Sequence, residues 1–130
     1  MKQVNLARLI LSFIGISGAF SVLFGAWLAH GAQYLPIDTL TRLEHAHFYQ
    51  WLHTLALLIV FVGWFKTSNK YLLATIFCFI TGILIFSGSL YVKSFWDVGM
   101  LAKVAPWGGG LLALGWLNLA LFSHKILNNR

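Results

Sequence analysis

Four stretches of this chain carry no Asp, Glu, Lys or Arg: Leu9–Ile37, His45–Phe65, Tyr71–Val92 and Val104–His124. A helix of ~20 apolar residues spans the ~30 Å hydrocarbon core of a bilayer, and each stretch reaches that length. A small soluble domain leaves too much of its surface in water to hide so many apolar side chains. The pattern predicts an all-α integral membrane protein, an up-down four-helix bundle with helices over about 8–30, 39–65, 71–92 and 104–124. Any polar side chain inside these stretches then needs a physical reason.

Composition agrees. The chain is 59% hydrophobic and 9% charged, against roughly 25% charged in soluble domains, so a single transmembrane domain over 1–130 is expected. The net charge of +6 does not point to nucleic acid, because the basic residues stand singly at helix ends without a run or stripe. Membrane lipids are the expected partners. Cys78 is the only cysteine, so no internal disulfide forms. The amino-terminal stretch is twenty apolar or small residues from Leu9 to Leu28, longer than the ~7–15 residues of a signal peptide core, and is expected to be retained as a helix.

Basic residues set the orientation. With the amino terminus inside, Lys2, Arg8, Lys66, Lys70, Lys125 and Arg130 face the cytoplasm, whereas Arg42, Lys93 and Lys103 lie outside with Asp38, Glu44 and Asp97. Six against three favours an N-in/C-in topology.

Helix 1 carries small residues at spacing four, Ser17, Ser21, Gly25 and Ala29, a stripe that allows close helix approach and suggests a central place in the bundle. Asp38 fits an N-cap for helix 2, and Thr41 with Glu44 fits a capping box. Pro106 suits the first turn of helix 4. Gly108-Gly109-Gly110 would each weaken that helix by roughly 1 kcal/mol relative to Ala, so another helix or a bound molecule is expected against Gly109.

On this topology most polar residues fall at one end: His30 on helix 1; His45, His47, Tyr49, Gln50 and His53 on helix 2; Ser87, Ser89 and Tyr91 on helix 3; and Gly109 on helix 4. Polar groups in hydrocarbon must pair or line a wet cavity. His30, Tyr49, Gln50, His53, Ser87, Ser89, Tyr91 and Gly109 are therefore the candidate ligand-binding residues. The alternative is interhelical glue, worth roughly 0.6 kcal/mol per bond. His45, His47 and His53 lack the i, i+4 spacing of helical metal chelation, and no acidic residue stands at the depth of Ser87, Ser89 and His53 to orient a nucleophile–base pair. No metal, no cofactor and no catalytic residues are expected.

His30-Gly31 after a Gly/Ala-rich helix, Tyr49-Gln50 with His53, Ser87-Gly88-Ser89-Leu90-Tyr91, and Pro106 with Gly108-Gly109 together resemble the YgdD/YwdK family of small inner-membrane proteins. The resemblance covers nearly the whole chain. It departs at Ala105-Pro106-Trp107, where the family more often has a Thr-Pro-Ile type segment. The resemblance implies a four-helix fold in the bacterial plasma membrane and no particular reaction. Sequence and resemblance together lead to a binding or accessory protein for a lipid or quinone-like molecule. The alternative is a structural subunit of a homo-oligomer or larger membrane complex, with a metal- or haem-dependent enzyme a distant third.

Overall fold

The computed structural model describes residues 2–96, 98–100 and 103–128. Asp97 and Arg130, both used in the charge comparison, lie outside them. The described chain is helical: α1 Lys2–His30, α2 Ile37–Thr67, α3 Lys70–Trp96, α4 Ala105–Leu121 and α5 Ser123–Leu127. The first three are long and apolar enough to cross a membrane. The fourth apolar stretch does not form one helix to His124 as expected. Helix α4 stops after 17 residues, about 26 Å at 1.5 Å per residue, and the chain bends at Phe122 (φ −109°, ψ 16°) into α5. The Phe122 ring stacks on Tyr71 at 4.4 Å.

Helices α1 and α2 begin earlier than their charge-free cores because charged residues near helix ends extend them toward water. The expected caps on α2 do not form. Pro36 (φ −54°, ψ 142°) is the residue before the helix, and no side chain caps it. Starting at Ile37 puts Asp38 inside the first turn, where its carboxylate favours the positive end of the helix dipole. Thr41 and Glu44 lie within a continuous helix, past the position where a capping box could act. Helix α2 ends at Thr67 and is capped by Ser68, a left-handed residue (φ 52°, ψ 27°) whose N–H bonds to the Trp64 carbonyl, and α3 starts at Lys70.

The helices pack in chain order, α1 on α2, α2 on α3 and α3 on α4. Helix α1 is thus an outer member of the row, not the central one its small-residue stripe suggested. Its buried face is Ala7, Ile10, Ile14, Ser17, Ser21 and Leu28, while Gly15 and Ala29 are exposed. The apolar core runs through Leu57, Val60, Trp64, Ile76, Phe79, Ile83 and Leu112. Its tightest seam lies between α3 and α4. A Cβ at Gly82 would sit 2.5 Å from Leu112 Cδ2, one at Gly115 2.5 Å from Phe79 Cε1, and one at Gly108 2.8 Å from Phe86 Cα. At Gly108 the neighbour is backbone and only glycine permits the approach, whereas at Gly82 and Gly115 the Leu112 and Phe79 side chains would have to shift.

Candidate functional site

The predicted polar residues fall into three separate arrangements. The first joins α1, α2 and α3. Gln50, buried mid-face on α2, donates through Nε2 to Ser17 Oγ (3.1 Å), and its Oε1 accepts from Tyr91 OH (2.6 Å). Ser17 Oγ also pairs with Thr54 Oγ1 at 2.7 Å, and Thr54 Oγ1 bonds to the Gln50 carbonyl. One turn away, His47 Nε2 meets the Ser21 carbonyl at 2.7 Å, so that nitrogen carries the proton. A buried amide wants both donor and acceptor satisfied. Gln50 achieves this by reaching to α1 on one side and α3 on the other.

The second arrangement joins α2 to α4. Trp116 Nε1–H donates to His53 Nε2 at 3.1 Å, and His53 Nδ1–H donates to the Tyr49 carbonyl at 2.8 Å. The indole can only donate, which fixes the neutral His53 tautomer with its proton on Nδ1. Tyr49 stacks on the His53 ring at 5.8 Å and leans on Phe86 at 4.7 Å. The third arrangement is a single bond from Ser87 Oγ to the Ala46 carbonyl, 2.7 Å, which ties α3 to α2.

The remaining predicted residues stand apart. Ser89 bonds back to the Phe86 carbonyl in its own helix. His30 is exposed at the end of α1 and makes none of these bonds, because it lies beyond the last buried residue of that helix, Leu28. Gly109 meets another helix, as expected, but mildly: the nearest atom to its Cβ position is Phe86 Cδ2 at 3.6 Å. The close approach belongs to Gly108, and its partner is the Phe86 backbone. Nothing lies within 4 Å of the Cβ position at Gly110. Among the described residues no buried side-chain nitrogen or oxygen lacks a hydrogen-bond partner, and no three His, Cys, Asp or Glu residues gather around a metal-sized space.

Open space lies beside the first network. Between α1 and α2 a groove of about 530 Å³ is lined by Gly18, Ser21, Val22, His47, Trp51, Thr54 and Leu55. It shares His47 and Trp51 with a second hollow of about 440 Å³ that adds Gly25, Gln33, Leu40 and Glu44 at the α1–α2 loop end. A second groove, about 540 Å³, runs between α3 and α4 along Gly88, Ser89, Val92 and Trp107. Of the predicted site residues, none lines the α1–α2 groove and only Ser89 lines the other. Ser17, Ser21, Thr54 and Trp116 were missed as members of the polar arrangements, and His47, placed at the polar end, was left out of the candidate binding set. Thr54 and His47 had a usable signal, lying four and three positions from Gln50 and so on nearly the same helical face.

A protein family described as "Protein of unknown function (DUF423)" matches residues 24–109. A UPF0382 membrane protein of Haemophilus influenzae is 35% identical over 116 residues, covering 88% of this chain and 93% of the relative. The chain belongs to the UPF0382 (DUF423) family of membrane proteins. A UPF0382 protein of Staphylococcus aureus is 35% identical over 91% of the chain and 97% of its own length. The UPF0382 protein YwdK of Bacillus subtilis is 29% identical over 86% of the chain and 93% of its own length. No solved structure matches. The family resemblance read from the sequence thus holds, and with three membrane-length helices this UPF0382 member is a multi-pass bacterial membrane protein.

Proposed function

We propose that this protein is a small accessory membrane protein that seats one amphipathic lipid along the groove between α1 and α2. The observation that carries the reading is the ordering of that groove. Gln33 and Glu44 stand at its open end, His47 and Trp51 at its waist, and Val22, Leu55 and Gly18 along its apolar shaft. Such an order matches a headgroup followed by an acyl chain. Glu44 offers only acceptor oxygens, so the fitting head is one that donates hydrogen bonds, a hydroxyl or an ammonium. A quinone ring, which offers carbonyl acceptors, fits less well. The surrounding bilayer supplies the occupant, since the groove opens to lipid.

The six-to-three split of basic residues supports an N-in topology with four crossings, α4 and α5 together making the last, and the groove mouth then lies at the outer leaflet. With Cys78 replaced by Ala, a membrane-impermeant thiol reagent applied outside should label Phe95→Cys and leave Ser68→Cys unlabelled. The reverse labelling would move the mouth to the cytoplasmic side.

The binding test uses Gly18→Leu. Nothing lies within 4 Å of the Cβ position at Gly18, so leucine fills the shaft without displacing a helix. Native mass spectrometry of gently extracted parent protein should show one retained lipid, and Gly18→Leu should lose it without a fall in melting temperature. A parent that never retains lipid, or a variant that retains it equally, defeats the reading. The second reading, a structural subunit of a larger assembly, is favoured by the complete internal pairing of the buried polar groups among the described residues. It predicts parent protein in a defined oligomer, indifferent to Gly18→Leu.

A further inference from the structure

At the opposite end of the molecule Lys70 and Lys125 converge. They come from different elements, the start of α3 and the short α5, yet both ammonium groups approach the Tyr71 ring, at 5.3 and 5.6 Å from its centre. Lys125 also sits 5.3 Å from the centre of Phe122. The geometry is held firmly. Asn69, almost fully buried, accepts from the Tyr71 N–H with Oδ1 (2.8 Å) and donates from Nδ2 to the Lys125 carbonyl (3.1 Å). One side chain thereby fixes the backbone of one lysine's element against that of the other. Asn118 Nδ2 adds a bond from α4 to the Tyr71 carbonyl, 2.7 Å. Ser68, Asn69, Lys70, Tyr71, Lys125 and Asn128 line one hollow of about 510 Å³.

Two like charges brought to one hollow repel unless a counter-charge lies between them. Among the described residues the acidic side chains, Asp38 and Glu44, stand at the other end of α2, and the sequence has no Asp or Glu between Glu44 and Asp97 or after Asp97. We propose that Lys70 and Lys125 form a binding seat for a phosphate-bearing anionic headgroup of the adjoining leaflet. The amide of Asn128 and the hydroxyl of Ser68 supply further hydrogen bonds, and the Tyr71–Phe122 stack borders the first methylenes of the lipid. The seat is independent of the α1–α2 groove, which lies at the other end of the protein and suits a head of opposite character. Ammonium groups bind phosphate as mobile point charges, so no rigid fork is required here.

The probe is phosphatidylglycerol, titrated against detergent-purified protein and followed by native mass spectrometry, with phosphatidylethanolamine as the zwitterionic comparison. Parent protein should hold one phosphatidylglycerol in preference to phosphatidylethanolamine. Lys70→Gln/Lys125→Gln should weaken that adduct by on the order of tenfold or more, given the usual contribution of each basic residue near an anionic surface. Lys93→Gln/Lys103→Gln removes the same charge at the other end and should leave the adduct intact. Lys70→Arg/Lys125→Arg should retain it, and circular dichroism melts of all variants should match the parent. Millimolar inorganic phosphate should fail to displace the lipid. Equal loss in the two Gln pairs would reduce the effect to net charge and overturn the site. Displacement by phosphate alone would overturn the lipid assignment in favour of a soluble phosphate ester.

Discussion

Between α3 and α4 the backbones come so close that a methyl group at Gly108 would overlap the backbone of Phe86. Between α1 and α2 the apolar packing of Ile10 and Ile14 gives way to hydroxyl, amide and imidazole groups, Ser17 with Thr54 and Gln50, Ser21 with His47. Lipid tails are as apolar as leucine, so neither pair is pushed together by a hydrophobic drive. Close van der Waals packing dominates one seam, with Asn118 bonded to Tyr71 and Thr75 at one end of it, and interhelical hydrogen bonds mark the other. At Gly82, Gly108 and Gly115 the glycine seam is pressed shut, and its own groove lies along Gly88, Ser89, Val92 and Trp107. The polar seam keeps the helices at arm's length and leaves a groove beside it. Both seams border a groove of similar volume, but only the one at the polar seam is lined by His47, Trp51 and Thr54.

The largest effect should come from attacking the glycine seam. Gly108→Ala would place a Cβ against the backbone of Phe86, which cannot rotate away, and overpacking of this kind costs about 1–3 kcal/mol. Reversible unfolding in mixed micelles should register that loss. The same substitution at Gly110, where nothing lies within reach, should stabilise by up to ~1 kcal/mol through helix propensity alone. Equal effects at the two glycines would break the distinction between the seams.

Second in size is the link between α2 and α4. His53→Leu removes the acceptor for Trp116 and leaves a half-buried indole N–H alone, at a cost of about 1–2 kcal/mol. A double-mutant cycle with Trp116→Phe should give a coupling near 0.6 kcal/mol, roughly the usual size of an interhelical bond in lipid. Zero coupling would mean that the two side chains are only neighbours.

The bonds that meet at Gln50 should prove the more forgiving. Tyr91→Phe loses one bond to Gln50 and should destabilise by roughly 0.6 kcal/mol, measured by the same unfolding assay. Because Gln50 also bonds Ser17, Tyr91→Phe combined with Ser17→Ala should depart from additivity. Strict additivity would show that Gln50 does not transmit between α1 and α3.

The first three helices were legible because a run of about twenty residues without a charge can bury its apolar surface only in a bilayer. The last helix was less so. Ser123 and His124 continue an apolar stretch without any residue that forbids a helix, and the bend at Phe122 depends on its stacking with Tyr71, a contact between distant parts of the chain. The expected caps on α2 do not form because the helix starts directly after Pro36, at Ile37, ahead of Asp38 and Thr41. Among the polar residues, depth along the membrane could be read from position, which is why Gln50, His53, Ser87 and Tyr91 were all singled out. Azimuth could not. Gln50 and His53 lie three residues apart, yet one faces α1 and α3 while the other faces α4. The glycine triplet shows the same limit: the run was conspicuous, but only the tertiary structure distinguishes Gly108, which is pressed, from Gly110, which is free.

The row of helices in chain order bears on how the protein is made. Among the described residues, every polar bond that leaves the membrane-embedded part of α1 goes to α2, the segment that emerges from the ribosome next. Each later helix finds its principal neighbour already in the bilayer. Contacts of this sequential kind close short loops and assemble quickly, so α1 and α2 can form a hairpin with Ser17 and Thr54 paired before α3 is synthesised. Gln50 would then wait with one free oxygen until Tyr91 arrives.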